Sequence, residues 1–443
     1  MSDGTREGDG VRAGDSSRRD VLSGAASAGV AAALAGCSFS LGSGGYDREA
    51  LADVADGPQP PRPATHPVDV REPMLSTHRE HAREHLAAVP EALDLPNGAV
   101  GDELAGTRER VAEQLHEAGS DDERMEYRLH DARDVRVAAA DCHFQYRAAT
   151  NDVTEREMER LRDDARDRLA GFRRAWAYRA SSPTRALLVH ASFEGTVERV
   201  GFELEPWPRF PDDSAAGWRE VGHLRGKIAT ASALLDDLES YREQVATADA
   251  GRYRAALHAA AMWLSRRANR VEYRDDGPLD DGRDGLSSDP GDSVAGRRFD
   301  VARDRLLEYS KRAFNEAQGT QRYATTALFA ATRRAAVDAF ATAVDDAESG
   351  RESVDVTAST VADERARAVD AVETTLDAGP TGLQRRLLEP AYNALRNGDD
   401  ELENGRNGDP KRAFASYRYV ADYADAARRA SDELVGLLRS AGR

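Results

Sequence analysis

Apolar residues recur at steps of three and four along most of the chain after residue 72, while runs of alternating polarity are nearly absent. Steps of three and four keep side chains on one face of an α-helix, whereas alternation is typical of a half-buried strand. The clearest apolar stripe lies in 158–176, with Arg and Asp on its other face. Similar stripes lie in 224–245 and in 361–376, which is followed by a Gly-Pro pair that stops a helix. The pattern therefore predicts an all-α protein.

Weaker periodic segments raise the prediction to about ten to twelve helices. These segments are 74–89, 102–118, 122–149, 183–200, 252–273, 297–317, 320–348, 382–396 and 410–440. Stripes of this width suit antiparallel helices packed in a bundle or an array. The scarcity of strand patterns disfavours the α/β fold that many exported solute-binding proteins adopt.

Changes in composition predict the domain organisation. Residues 37–72 are first rich in Ser and Gly and then in Pro, which predicts a flexible tether. A helical domain is expected over 73–274 and a second helical region over 297–443. Between them, 275–296 is rich in Asp and Gly and has no apolar period, so we expect a loop or an interdomain linker.

Residues 1–36 have the layout of an export signal peptide. Arg18 and Arg19 precede an apolar segment that is too short for a spanning helix, which needs about 20 apolar residues. That segment ends in Leu-Ala-Gly-Cys at 34–37, which resembles the lipobox of exported lipoproteins. The two motifs together resemble the leader of twin-arginine-exported lipoproteins of halophilic archaea. The resemblance is limited to the leader, and it implies a lipid on Cys37 that anchors the protein to the extracytoplasmic face of the cell membrane.

The charge of the chain restricts the classes of partner that it is expected to bind. The 79 acidic residues outnumber the 61 basic ones, the net charge is −18, and only three of the basic residues are lysine. This composition resembles that of proteins from extreme halophiles, whose acidic surfaces stay hydrated in molar salt. At such ionic strength the Debye length is about 3 Å, so the surface charges repel one another weakly. The same charge disfavours nucleic acid as a partner, because nucleic acids select basic surfaces.

Three of the ten histidines fall close together, at His78, His81 and His85. On a helix their side chains lie within an arc of about 60°, so they are able to meet one divalent metal ion or one partner surface. The last five residues of the cluster also spell H-x-x-E-H, the zinc motif of inverzincin metallopeptidases. The strands and the further ligand of that family are not evident here. Packing at the edge of an apolar stripe is the alternative interpretation of the cluster.

A second candidate site is the segment 205–213, in which prolines alternate with other residues and hold the chain extended. Trp207 and Phe210 on such a loop are candidates to bind a sugar, a peptide or a lipid. The alternative is that the loop folds back and covers the ends of helices.

No sequence motif indicates a specific reaction. The chain lacks a nucleophile elbow, a Walker loop and a dinucleotide-binding glycine pattern. The sequence therefore favours a membrane-anchored lipoprotein that binds or scaffolds a protein or small-molecule partner. One alternative is a metal-binding protein or metal-dependent hydrolase that uses the three histidines. Another is the solute-binding component of a transporter, with a cleft between lobes that separate near 275–296.

Overall fold

Helices make up almost all of the computed structural model, which describes residues 46–63, 68–117, 125–205, 207–247, 249–272, 279, 282–286, 290–317, 321–349, 354–404 and 408–441. The leader arginines Arg18 and Arg19, and Cys37, lie outside these residues. The described part of the chain contains fourteen α-helices, which confirms the all-α prediction and exceeds the predicted number by two. They are α1 (Arg48–Ala55), α2 (Glu72–Ala87), α3 (Gly98–Glu117), α4 (Met125–Ala149), α5 (Glu155–Ala175), α6 (Pro183–Leu204), α7 (Trp218–Val245), α8 (Arg254–Glu272), α9 (Val294–Ala317), α10 (Tyr323–Ser349), α11 (Ala358–Asp377), α12 (Thr381–Leu387), α13 (Glu389–Glu403) and α14 (Pro410–Ala441).

Helices α2, α3, α5 and α6 pack around α4 and α7. Helices α2 and α3 lie on α4, while α5 and α6 lie on α7. A side chain at Gly222 would clash with the Asp141 carboxylate, so this glycine lets α7 approach α4 closely. The buried face of α7 includes Leu224, Ile228 and Leu235, which belong to the stripe expected from the sequence.

The helices after residue 250 pack around α10 and α14. Helix α10 buries nine alanines, and such small side chains allow α8, α9 and α14 to come close to its backbone. Helix α14 in turn packs against α11 and α13. Where one helix was expected over 382–396, the chain forms α12 and α13, because Pro390 has no N–H with which to continue the hydrogen-bond ladder.

The two helical regions predicted on either side of 275–296 pack directly on each other. Helix α6 contacts α10, and α8 contacts both α10 and α14. A two-residue antiparallel ribbon, β1 (Arg179–Ala180) with β2 (Gly251–Arg252), ties the start of α6 to the start of α8. Tyr46–Arg443 is accordingly one compact unit. None of its described helices combines the length and the apolar character that crossing a bilayer requires.

Residues 46–63, in the middle of the predicted tether, are held on the folded body. Helix α1 buries Leu51 and Ala55 and packs against α11 and α13. The Arg365 guanidinium donates to the backbone carbonyls of Gly57 at 3.0 Å and Pro58 at 3.1 Å. Its Nε donates to the Asp399 carboxylate at 2.8 Å. This arm clasp, made by Arg365 and Asp399, leaves 37–45 as the part of the predicted tether ahead of the docked segment.

Candidate functional site

A cavity of about 740 Å³, called the main cavity below, opens where the cores of the two helical regions meet. It is lined by Arg173, Trp176, Ala177, Tyr178, Glu194, Val197, Glu198, Arg252, Arg254, Gln321 and Arg322. Trp176 packs against both cores. Cavities of this size with an apolar floor and a few polar groups are the usual sites of small-molecule binding.

Local sequence places the aromatic floor of the main cavity. Helix α5 ends at Ala175, and Trp176 follows it in extended conformation. The backbone N–H of Tyr253 donates to the Tyr178 carbonyl at 2.7 Å, so the ribbon fixes the connection between α5 and α6. Helix α6 then starts at Pro183, whose ring favours the first turn of a helix. The segment that carries Trp176 is thus fixed at both ends.

The indole of Trp176 is held from behind by His190. Its Nε1–H donates to His190 Nδ1 at 3.1 Å, and His190 Nε2 lies 3.0 Å from the Arg179 carbonyl oxygen. An imidazole that accepts at Nδ1 and donates at Nε2 is neutral and has one defined tautomer. Burial lowers the pKa of His190 to about 4, which agrees with a neutral ring. Trp176 is therefore a fixed surface rather than a loose side chain.

Tyr178 and the buried carboxylate of Glu194 complete this support. The Tyr178 ring stacks on Trp176 at a centroid distance of 5.0 Å, and its hydroxyl donates to Glu194 at 2.7 Å. Glu194 also accepts the backbone N–H groups of Ala324 at 3.0 Å and Thr325 at 2.6 Å, at the start of α10. Burial raises the pKa of Glu194, and these hydrogen bonds oppose that effect. The carboxylate thus joins the aromatic floor to the N-terminus of α10.

Positive side chains predominate around the opening. The lining contains four arginines and two glutamates, a formal charge of 4 − 2 = +2 in a chain whose net charge is −18. Arg322 pairs with Glu198 at 2.8 Å. Arg173 and Arg252 are exposed and have no carboxylate partner among the residues that the structure describes. The main cavity therefore combines a rigid aromatic floor with unpaired cationic groups at its rim.

The predicted histidine cluster is divided between different environments. His78 is buried, with Nε2 lying 3.0 Å from Asp237 and Nδ1 accepting from Arg136 at 3.0 Å. His81 is 42% exposed, and its Nδ1 lies 3.0 Å from Glu84 of its own helix. The periodicity placed the three side chains on one face of α2, but their nearest partners differ.

His85 meets a histidine that the sequence prediction did not include. Its Nδ1 lies 3.0 Å from His143 Nδ1 on α4, and Arg225 lies beyond its other nitrogen at 3.4 Å. Burial and the charge of Arg225 lower the pKa of His85 to about 3. Within the described ranges, no three His, Cys, Asp or Glu side chains are arranged to hold a metal ion. The divalent-metal site at His78, His81 and His85 stays a prediction.

Trp207 and Phe210 lie against the core of the helices before residue 250. Both are half-buried, and the Arg162 guanidinium covers the Trp207 ring at 4.6 Å from its centroid. This arrangement resembles the folded-back loop that was the alternative interpretation of the sequence. Their role in binding stays a prediction.

Two protein families match the chain in ranges that overlap over 228–252. Residues 74–252 match a family described as domain of unknown function DUF8262, and residues 228–436 match one described as domain of unknown function DUF8264. The main cavity draws its lining from both matched ranges. No curated protein and no solved structure matches this chain.

Sequence reasoning missed the main cavity because its parts are far apart in the chain. The lining comes from the end of α5 and the segment after it, one face of α6, the ribbon, the start of α8 and the two residues before α10. None of these segments has a motif. A usable signal was the Trp-Ala-Tyr sequence at 176–178, where two aromatic residues follow the last turn of a well-defined apolar stripe.

Proposed function

We propose that this chain is an exported, lipid-anchored binding protein whose main cavity takes a small organic anion with an aromatic or planar apolar part. Export and lipidation rest on the leader motifs at Arg18, Arg19 and Cys37. The observation that supports the ligand class is the +2 rim over the fixed Trp176 surface. Arginine binds carboxylates and similar anions with directed hydrogen bonds, and an indole face packs on planar groups.

Binding of this kind is compatible with molar salt. A Debye length of about 3 Å removes long-range attraction but leaves contact ion pairs in a partly closed cavity much less affected. We therefore expect salt to reduce the association rate more than it reduces the lifetime of the complex.

The test is calorimetric titration of the full chain with naphthoate, an aromatic monoanion, in molar salt. Trp176→Leu removes the planar surface and should weaken binding about tenfold or more. Arg252→Gln, at an exposed side chain, should weaken binding about fivefold without affecting the packing of the core. Trp263→Leu, at an exposed tryptophan of α8, is the matched control and should bind like the wild type. If wild-type protein does not bind naphthoate, or if all three variants bind it equally well, the proposal is wrong.

One observation favours the solute-binding component of a transporter as a second candidate. The main cavity lies between helices from both sides of 275–296, as a ligand cleft between two lobes would. In that case naphthoate should protect the backbone amides of 176–178 and 322–325 together, measured by hydrogen exchange in the same samples. Protection of one wall alone would favour a binding role without closure.

A further inference from the structure

A second, smaller cavity of about 290 Å³ lies beside the main cavity. Arg322 lines both of them. Helix α6 also lines both, with Glu194 and Glu198 facing the main cavity and Ala191 and Gly195 facing the second, which is called the side cavity below. The two spaces therefore follow the same pair of helices, α6 and α10.

Arg322 lies where the two cavities adjoin, and it pairs there with Glu198. Arg322 Nη1 lies 2.8 Å from a carboxylate oxygen of Glu198, whose side chain is 59% exposed. The Arg322 side chain is 15% exposed, so it is the more accessible Glu198 that water or a ligand reaches first. An ion pair with one exposed partner contributes little to stability. A ligand that brings its own negative charge is able to take the place of the Glu198 carboxylate at Arg322.

The far end of the side cavity is lined by Arg386 and Glu389, and its middle is apolar. Leu328 and Phe329 of α10 form the apolar wall. Arg386 lines the end and has no carboxylate partner in the described part of the chain, since the neighbouring Glu389 pairs with Arg385. Lining residues on α10 extend as far as Thr332, ten residues beyond Arg322, which is about 15 Å at the rise of a helix.

We infer that the two cavities form one groove for an elongated organic dianion. Its planar end lies on Trp176, its apolar middle passes Leu328 and Phe329, and its second anionic group reaches Arg386. This inference rests on the proposed function, because it extends the same binding site. It replaces a compact monoanion by a longer ligand with a charge at each end.

Gly195 offers a way to close the side cavity alone. It lies inside α6, faces the side cavity, and has no atom within 4 Å of the position that a Cβ would take. No packing contact therefore requires glycine at this position, and glycine is a poor helix former. Leucine at 195 would project into the side cavity and block it while favouring the helix. Gly106 in α3 has the same open surroundings and provides a matched control.

The experiment compares two probes on the full chain by calorimetry. The short probe is naphthoate, and the long probe is the same naphthoate joined through an apolar chain to a terminal carboxylate. Wild-type protein should bind the long probe about tenfold or more tightly than the short one. Gly195→Leu should abolish that advantage and leave naphthoate binding within about twofold, whereas Gly106→Leu should change neither. Arg386→Gln should reduce the advantage about fivefold.

Each outcome decides between the inferences. The elongated groove is wrong if wild-type protein binds both probes equally well, or if Gly195→Leu still binds the long probe more tightly than naphthoate by the wild-type factor. In either case, binding of naphthoate itself still supports the proposed function. An undiminished advantage in Arg386→Gln overturns the second anionic end, even if Gly195→Leu blocks the long probe. Failure of naphthoate itself to bind overturns the proposed function and the groove together.

Discussion

Single histidines show how burial converts a titrating residue into a structural one. His190 is fully buried, accepts from the Trp176 indole and donates to a backbone carbonyl, and both bonds require the neutral ring. The free energy of folding is therefore coupled to the protonation of this residue. His85 and His143, with pKa values lowered to about 3 and about 4, act in the same direction.

The sign of the pH dependence follows from these values. An unfolded histidine titrates near 6.5, whereas His190 in the folded chain has a pKa of about 4. Between those values the unfolded chain binds a proton that the folded chain does not, so the free energy of unfolding falls as the pH falls from about 6.5 to about 4. Protonation linked to His190 lowers the free energy of unfolding by ~3 kcal/mol over this range. Above about pH 6.5 this loss is absent.

The measurement is the free energy of unfolding of wild-type protein and His190→Gln at several pH values. Glutamine is able to keep both hydrogen bonds and does not titrate, so its curve should be flatter between pH 6.5 and 4 by ~3 kcal/mol. His116→Gln, at an exposed histidine of α3, is the control for the loss of a histidine. Parallel curves for wild type and His190→Gln would contradict the assignment.

For single residues, the sequence predicted which side chains face a core better than it predicted the side chains that they contact. The periodicity placed His78 at the edge of the α2 stripe, and the residue is indeed buried. Its contacts with Arg136 and Asp237 come from helices about 60 and 160 residues away, a distance that no local pattern reports. The same reason hid His143, which meets His85 across two helices.

Among the elements, α1 and the arm clasp are the feature that composition concealed. The segment is short and ends in a Pro-rich run, and these properties are typical of a linker. Its attachment depends on Arg365, a charged residue that falls within the apolar stripe of α11 and is buried there. A buried charge within an apolar stripe is a sequence signal that an ion pair lies inside the fold.

Breaking the arm clasp should be costly. Arg365→Met leaves the Asp399 carboxylate buried with its arginine partner lost, and such changes destabilise proteins by about 3–5 kcal/mol. Denaturant unfolding measures the loss, and limited proteolysis within 46–63 reports release of the arm.

The control for Arg365→Met is Arg267→Met, at an exposed arginine that pairs with Glu433. Exposed pairs contribute about 0–1 kcal/mol, so this variant should unfold near the wild-type midpoint. Equal stabilities of the two variants would show that the clasp does not hold the arm.

For the molecule as a whole, charge sets the conditions under which the fold is stable. A net charge of −18 repels itself over about 10 Å at ~0.1 M salt but over about 3 Å at ~1 M. We expect the free energy of unfolding to fall as NaCl is lowered through this range, measured by thermal unfolding at fixed pH.

Variants of opposite sign separate charge screening from other effects of salt. Glu109→Gln with Glu113→Gln on the exposed face of α3 changes the net charge to −18 + 2 = −16 and should flatten the salt dependence. Arg110→Gln on the same helix changes it to −18 − 1 = −19 and should steepen the dependence. Shifts in the same direction for both would point to a cause other than net charge.

Docking of residues 46–63 also determines how the molecule responds to mechanical force. If Cys37 carries a lipid as proposed, flow or collision at the cell surface pulls on the N-terminus, and the tension enters the body at α1, which packs on α11 and α13. The buried Leu51 and Ala55 of α1 bear the tension first, and the bonds of Arg365 and Asp399 bear it next, before α11 and α13 themselves do. Release of these 18 residues would add about 60 Å of extended chain. Undocking of the arm would therefore lengthen the tether to the membrane before the binding site is distorted.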